Sequence, residues 1–208
     1  YNIQRKTSDY YNTKLRKHGA TPLGVDWNSE SSQKRRFDQL VNAIESTSES
    51  LTLNDVGCGY GALLEHLDSR GLDVEYTGYD LSDDMIACAK KKYGVRTGCR
   101  FTSSHAHLEP ASYTLASGIF NTKLDISNDE WHAYMIATIK QLADLSTEGF
   151  AFNALSLDSD PECRRPDLYY ADPLFFFDHC RRYYSRSIAL LQDYGLYEFT
   201  MIVRKNRG

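Results

Sequence analysis

The sequence predicts an α/β domain, a mostly parallel sheet covered by helices on both faces. Three observations carry this prediction. Short apolar runs alternate with helical periodicity along most of the chain; three glycines stand two apart in Asn-Asp-Val-Gly-Cys-Gly-Tyr-Gly-Ala-Leu-Leu (54–64); and the last two apolar runs are separated by one short joint. Strands that alternate with helices bury a parallel sheet on both sides, whereas a short joint between two strands forces an antiparallel pair.

The elements follow in order. The first thirty-odd residues, rich in Tyr, Lys, Ser and Asn, precede any strand pattern and read as a flap over one edge of the sheet. The chain is thus expected to be a single domain at 1–208, with an arm or lid at 1–36 and a core at 37–208. Phe37, Leu40, Val41 and Ile44 recur at helical spacing, Ser46, Thr47, Ser48 and Ser50 end that pattern, and Leu51 to Val56 reads as a short buried strand. After the glycines, Ala62, Leu63, Leu64 and Leu67 repeat as a helix, and Val74 to Tyr79 returns to strand chemistry and closes on Asp80. Ser82 suits the N-cap of a helix carrying Met85, Ile86 and Ala89. Strands are expected at Cys99 to Ser103 and Tyr113 to Phe120, a helix from about Asp129 to Leu145, and a strand at Gly149 to Leu157. A polar, proline-bearing segment (158–166) leads to a helix at Asp172 to Tyr184. Two strands, Ile188 to Asp193 and Tyr197 to Arg204, then meet at Tyr194-Gly195-Leu196 and must run antiparallel.

Bulk properties bound the function. At 208 residues and 23.8 kDa the chain suits one well-buried core. A hydrophobic share of 41%, a charged share of 25% and a net charge of -4 describe an ordinary globular protein and lack the basic excess of a nucleic-acid binder. The apolar runs fall short of the roughly 20 residues that span a bilayer, and no signal-peptide pattern opens the chain, so a cytoplasmic protein with no membrane partner is expected. Cys58, Cys88, Cys99, Cys163 and Cys180 are odd in number and share no zinc-type spacing, which reads as reduced thiols. His105 and His107 would present one face of a strand to a metal; without carboxylate or thiolate partners nearby in sequence, surface or substrate-site roles fit them better.

The glycine bend carries the chemistry. One glycine lets the chain turn at the end of the first strand, a second lets backbone N–H groups approach a ligand, and a third permits close packing of helix on strand. Asp80, 19 residues after Gly61, is placed to accept both hydroxyls of a ribose, so bend and carboxylate together suit an adenosine cofactor. The plainer reading is a tight turn followed by a helix cap. Dinucleotide sites carry G-x-G-x-x-G, which argues against a nicotinamide oxidoreductase; here the pattern is Asp55-x-Gly57-x-Gly59-x-Gly61, and a carboxylate near the cofactor's tail suits a cation rather than a diphosphate.

This stretch, with Tyr-Thr-Gly-Tyr-Asp80-Leu-Ser and the closing antiparallel hairpin, resembles the class I S-adenosylmethionine-dependent methyltransferases from about Ser50 to the C-terminus. The resemblance implies a Rossmann-like seven-stranded sheet in the order 3-2-1-4-5-7-6 with strand 7 reversed, and S-adenosyl-L-methionine as cofactor. Carried over by position, it implies that Asp55, Gly57, Cys58 and Gly59 line the methionine moiety, Asp80 binds the ribose and Leu81 lies against the adenine. Cys58 is then a spacer. Where the family often has an acidic residue for the adenine amine, this chain has Ser103-Ser104-His105, which makes Ser104 and His105 the candidates. Ser117-Gly118-Ile119-Phe120-Asn121 occupies the family's fourth motif, where a small residue such as Gly118 lets the reactive end of the cofactor meet the acceptor. The segment Tyr10 to Leu40 looks like the leading segment of small bacterial methyltransferases. Its Trp27, Gln33 and Arg36 are expected to close over the cofactor, with Arg36 pairing the cofactor's carboxylate, since a planar guanidinium suits bidentate recognition; a solvated basic run is the plainer alternative.

Methyl transfer from a sulfonium is an in-line displacement, so the protein has chiefly to align nucleophile and methyl and to exclude water. The Asn/Asp-Pro-Pro-Tyr signature for planar amino groups is absent after the fourth strand, which disfavours base or glutamine methylation. Asp125, Asp129 and Glu130 do not assemble into a metal cluster, and no metal is expected. There remains a small acceptor, hydroxylated or anionic, with O-methylation favoured over N-methylation. It would lie among Tyr11, Lys14, His18, Asn121, Asn153, Arg164, Arg165, Tyr169, Tyr170 and Asp172. His18 leads as general base because histidine titrates near neutral pH; Asn121 and Asp172 are the other catalytic candidates, and Asp172 before Pro173 is equally a plain helix N-cap. The rival reading is a catalytically silent cofactor-binding or scaffold protein.

Overall fold

The computed structural model describes residues 2–45 and 51–205. The serine-rich break expected at 46–50 lies outside the described residues. Two helices, α1 (Asn2–His18) and α2 (Glu30–Val41), flank a 3-10 turn (Pro22–Val25) and precede the sheet. The core then runs β1 (Thr52–Val56), α3 (Ala62–Ser69), β2 (Glu75–Tyr79), α4 (Asp83–Tyr93), β3 (Cys99–Thr102), β4 (Ala111–Ala116), α5 (Asn128–Asp144), β5 (Ser146–Leu155), α6 (Pro173–Tyr183), β6 (Ser187–Leu191) and β7 (Glu198–Arg204).

The strands form one seven-stranded sheet in the order β3-β2-β1-β4-β5-β7-β6. All neighbours up to β5 pair in parallel, and β7 runs antiparallel to both β5 and β6. This is the order and the reversal that the sequence implied. The sheet's two faces follow from the two-residue period of its strands. Phe150 and Phe152 of β5, with Met201 and Val203 of β7, pack under Trp131, Met135, Ile139 and Leu142 of α5. Ala151 and Ile202, the residues between them, turn to the opposite face with Leu53, Tyr76 and Leu115, beneath Phe37, Leu40, Leu63, Leu64 and Ile86 of α2, α3 and α4. Each large side chain so buried stabilises the fold by about 1.5–3 kcal/mol before entropic costs. α5 is started by a reciprocal cap in which Ser127 and Glu130 satisfy each other's backbone, and Trp131 is anchored by its indole N–H to the Phe120 carbonyl at 2.8 Å.

Three local expectations are corrected. α1 is a 17-residue helix where the sequence showed only a polar flap; Leu15 is its one buried residue, so it has no apolar stripe to read. β4 ends at Ala116 rather than Phe120. Gly118 takes a left-handed conformation (φ 74) and its N–H is captured at 2.7 Å by Asn153 Oδ1 from β5, which turns the chain out of the sheet. The β3–β4 connection (103–110) contains a 3-10 turn at His105–His107 and no full helix, which leaves His105 and His107 on a turn instead of a strand face. Among the described residues, no helix is long and apolar enough to cross a membrane.

Candidate active site

The bend after β1 is built as its glycines suggested. The N–H groups of Gly57 and Cys58 both donate to the Tyr79 carbonyl, at 2.7 and 3.0 Å, which docks the bend onto the end of β2. Gly57 has φ 81, and a Cβ there would stand 2.2 Å from Ile119 Cγ2, so any other residue is strained in its backbone and has to displace the Ile119 side chain. Asp80 ties the two strand ends together: Oδ2 accepts from Gly59 N–H and Oδ1 from Ser82 N–H, each at 2.9 Å. Both oxygens keep a lone pair for a further donor.

A cavity of ≈ 220 Å³ opens on this bend. Its walls include Asp55, Gly57, Cys58 and Gly59 from the bend, Asp80, Leu81 and Met85 after β2, His105 after β3, Gly118 and Ile119 after β4, and Trp27 and Gln33 from the arm. The structure therefore gathers most of the residues expected at a cofactor. Ser104 and Arg36 are not among the lining residues. Ser104 is turned into its own loop, with its N–H donating to Thr102 Oγ1 at 3.1 Å.

The buried carboxylate Asp55 dominates the electrostatics. It is 2% exposed and accepts a 2.5 Å hydrogen bond from the Tyr76 hydroxyl. Burial nevertheless pushes its pKa up to about 7, against the lowering effect of that bond and with a smaller push from the charge of Asp80. Burial likewise raises Asp80 and holds the Cys58 thiol well above its ordinary value, which keeps that thiol uncharged.

Arg36 has a different partner from the one expected. Its Nε and Nη2 make a two-pronged bond to Glu198 of β7, at 2.7 and 2.8 Å, with both side chains buried. Glu198 also accepts from Asn121 Nδ2 at 3.3 Å, and Asn121 Oδ1 accepts the Leu155 N–H at 3.1 Å. Asn121 is thereby fixed as a structural tie between β5, β7 and the turn after β4, outside the cavity lining. The Trp27 ring lies 4.0 Å over the Arg36 guanidinium and against Gly118, where a Cβ would meet Trp27 Cζ2 at 2.3 Å. Arg36 Nη1 is buried without a partner.

The other catalytic candidates lie elsewhere. His18 sits in the last turn of α1, where its carbonyl accepts from Thr21, and it does not line the cavity. Asp172 caps α6 by accepting from Leu174 and Phe175 N–H, at 2.9 and 3.2 Å. Lys14 pairs with Asp26, Arg165 with Asp167, and Tyr169 bonds His132. Asn153 holds the turn at Gly118, Arg164 bonds the carbonyls of Leu157 and Ser159, and the Tyr170 hydroxyl accepts the Arg165 N–H. Of the expected acceptor residues only Tyr11 reaches the cavity, its hydroxyl 3.4 Å from Thr122 Oγ1; burial raises its pKa, so it stays a neutral phenol. Gln4, Thr7 and Ser8 join it in the lining. These four positions repeat every three or four residues, one face of a helix. The stripe is polar, and a search for apolar periodicity passes over it.

The donor set fits S-adenosylmethionine. A buried carboxylate with a raised pKa suits a cation, Asp80 retains acceptor capacity for ribose hydroxyls, and Gln33 brings an amide to the cavity from the arm. Among the described residues no group of three His, Cys, Asp or Glu is arranged to hold a metal.

Comparison with known proteins agrees. The methyltransferase-domain family matches residues 54–144. Rv1506c of Mycobacterium tuberculosis, itself assigned only provisionally as a methyltransferase, is 47% identical over 167 residues, covering 80% of this chain and 98% of that one. Among solved structures, the fold matches magnesium protoporphyrin IX methyltransferase (ChlM) of Synechocystis PCC 6803 with bound S-adenosylhomocysteine at a TM-score of 0.66 and 14% identity, covering 98% of this chain and 100% of that one. It also matches the N-methyltransferase NodS of Bradyrhizobium japonicum WM9, in complex with the same molecule, at a TM-score of 0.66 and 14% identity over 97% and 99% of the two chains. With a relative this similar over nearly its whole length, and with the sheet order in place, the chain belongs to the class I S-adenosylmethionine-dependent methyltransferases.

Proposed function

We propose that the chain transfers the methyl group of S-adenosylmethionine to a hydroxyl of a small, uncharged acceptor held between α1 and the turn after β4. The observation that carries this is the polar stripe of Gln4, Thr7, Ser8 and Tyr11, which lines the same cavity as Gly57, Gly118 and Ile119. Hydroxyl and amide groups on that wall match a hydroxylated molecule, and Tyr11 and Trp27 offer aromatic faces. The cations expected to hold an anion are engaged: Lys14 with Asp26, Arg165 with Asp167, and Arg164 with the carbonyls of Leu157 and Ser159. An uncharged acceptor is therefore favoured over a phosphorylated one.

Bound cofactor supplies a methyl on a cationic sulfur. Asp55 balances positive charge at the cofactor's methionine end, Asp80 holds the ribose, and Leu81, Met85 and His105 frame the adenine. Gly57 and Gly118, which lack side chains, let Ile119 and Trp27 pack against the bend and the turn, so that these two side chains border the place where nucleophile and methyl meet in line. The acceptor oxygen forms the new C–O bond as the S–CH₃ bond breaks, leaving a neutral thioether. Tyr11, kept protonated, donates a hydrogen bond to the acceptor and takes no proton. With no free base on the α1 wall, the acceptor hydroxyl has to be acidic in its own right, as in a phenol or enol, and its proton goes to solvent.

A screen with methyl-labelled S-adenosylmethionine tests this. Phenols and enols are expected to be methylated and sugar phosphates not. Preference for a phosphorylated acceptor, or S-adenosylhomocysteine binding with no product from any class, contradicts the proposal; the second result makes the chain a cofactor binder alone.

A further inference from the structure

The cavity does not end where the adenine is placed. Beyond His105 it continues as a channel walled by Leu108, Tyr134, Thr138, Gln141, Leu142 and Leu145. From Tyr134 to Leu145 a helix advances about 16 Å at 1.5 Å per residue, so the channel follows α5 down the face of the sheet. It exists because the β3–β4 connection is thin. After the 3-10 turn the chain runs extended at Leu108 (φ -84, ψ 124), pinned to the sheet by a 2.9 Å bond from Asn54 Nδ2 to the Glu109 carbonyl. No helix lies beside α5 there to fill the gap.

Polar recognition is sparse at the same end. The Ser104 N–H is spent on Thr102, the His107 N–H on the Ser104 carbonyl and the Leu108 N–H on the His105 carbonyl, each at 3.1 Å. These three N–H groups are thereby engaged within the turn, and His105 is the polar side chain of the turn that lines the cavity. An adenine amine would thus meet one imidazole and, past it, a space walled by Leu108, Tyr134 and Leu145 with Thr138 and Gln141 at its side.

We propose that this channel is a binding site for a group carried on the adenine amine, so that the chain accepts N6-alkyl and N6-arylalkyl forms of the S-adenosyl cofactor. The proposal rests on the cofactor placement given above. A substituted amine keeps one N–H for His105, and an apolar substituent gains burial against Leu108, Tyr134 and Leu145.

The test is a calorimetric titration of the full chain with S-adenosylhomocysteine and with N6-benzyl-S-adenosylhomocysteine. The native chain is expected to bind the two within about threefold of each other. Thr138→Phe, which places a ring in the channel from a buried position, is expected to weaken the benzyl compound by about tenfold or more while changing S-adenosylhomocysteine by less than about threefold. Should that variant fail to bind S-adenosylhomocysteine at all, Ala137→Trp at the exposed rim is judged by the same criterion. A native chain that binds the benzyl compound more than about threefold weaker, or a plugged channel that weakens both ligands alike, overturns the inference. If native chain does not bind S-adenosylhomocysteine itself, the cofactor placement fails instead, a separate and visible outcome.

Discussion

The raised carboxyl of Asp55 makes cofactor affinity depend on pH in a defined direction. Its pKa is pushed up to about 7 because the group is buried, and a cationic ligand needs it ionised. Only the ionised fraction is competent, so the apparent Kd scales inversely with that fraction. With a pKa near 7, about half of the sites are ionised at pH 7.0 and about 3% at pH 5.5, a loss of about 15-fold in affinity for S-adenosylmethionine. The window lies below the range of about 7.7–8.0 where an α-amino group titrates, so the ligand's own charge is constant across it. Isothermal titration calorimetry in buffers of different ionisation enthalpy reads both the affinity and the proton released on binding. Tyr76→Phe removes the hydrogen bond that holds the pKa down and should move the transition to higher pH. Asp55→Asn should flatten the profile at low affinity. An affinity constant from pH 5.5 to 7.0 in the native chain, or a full pH response in Asp55→Asn, refutes the reasoning.

Further expectations follow from the same structure. In ligand-free protein the folded pKa of Asp55 lies above its unfolded value, so the fold penalises the ionised form; the penalty grows as pH rises from about 4 to about 7 and is complete above that. Asp55→Asn should therefore raise the melting temperature of ligand-free protein at pH 8 more than at pH 4.5, and equal effects at both would count against it. Glu198→Gln leaves the buried Arg36 charge uncompensated and should cost about 3–5 kcal/mol in urea unfolding, whereas Arg36→Met with Glu198→Met should recover most of that loss; a silent single change would mean the pair is not formed. Removal of residues 1–24 takes away the polar stripe of α1 but leaves Trp27 and Gln33, so turnover should collapse while S-adenosylhomocysteine binding falls far less. Full turnover in the truncated chain contradicts the acceptor placement. Gly118→Val sets a branched side chain against Trp27 at a left-handed φ and should weaken cofactor binding with the sheet intact, as read by calorimetry alongside circular dichroism.

Much of the fold was legible because its signals are local. The alternation of Phe150, Ala151 and Phe152, the Ser82 cap and the glycine bend each declare themselves within a few residues, and the family resemblance supplied the strand order. The features that escaped depend on distant partners. Arg36 has the chemistry to bind a ligand carboxylate, but Glu198, 162 residues away, claims two of its three nitrogens. β4 stops at Ala116 because Asn153, on another strand, captures the Gly118 amide. α1 showed no helical signal since its defining face is polar and meets a cavity instead of a core. His18 and Asp172 have suitable side chains at positions the topology leaves off the cavity, and a residue type alone carries no information on that placement. Ten of the expected cofactor residues, from Trp27 to Gly118, line one cavity because strand ends and their turns meet at one edge of a parallel sheet.

The most direct test of the central claim is a crystal structure of the chain with S-adenosylhomocysteine. The ribose hydroxyls are predicted to lie within hydrogen-bonding distance of Asp80, the amino group beside Asp55, and the sulfur facing Ile119 and the α1 stripe. Ligand bound elsewhere, or at the bend with its ribose away from Asp80, would contradict the placement on which the proposed chemistry depends.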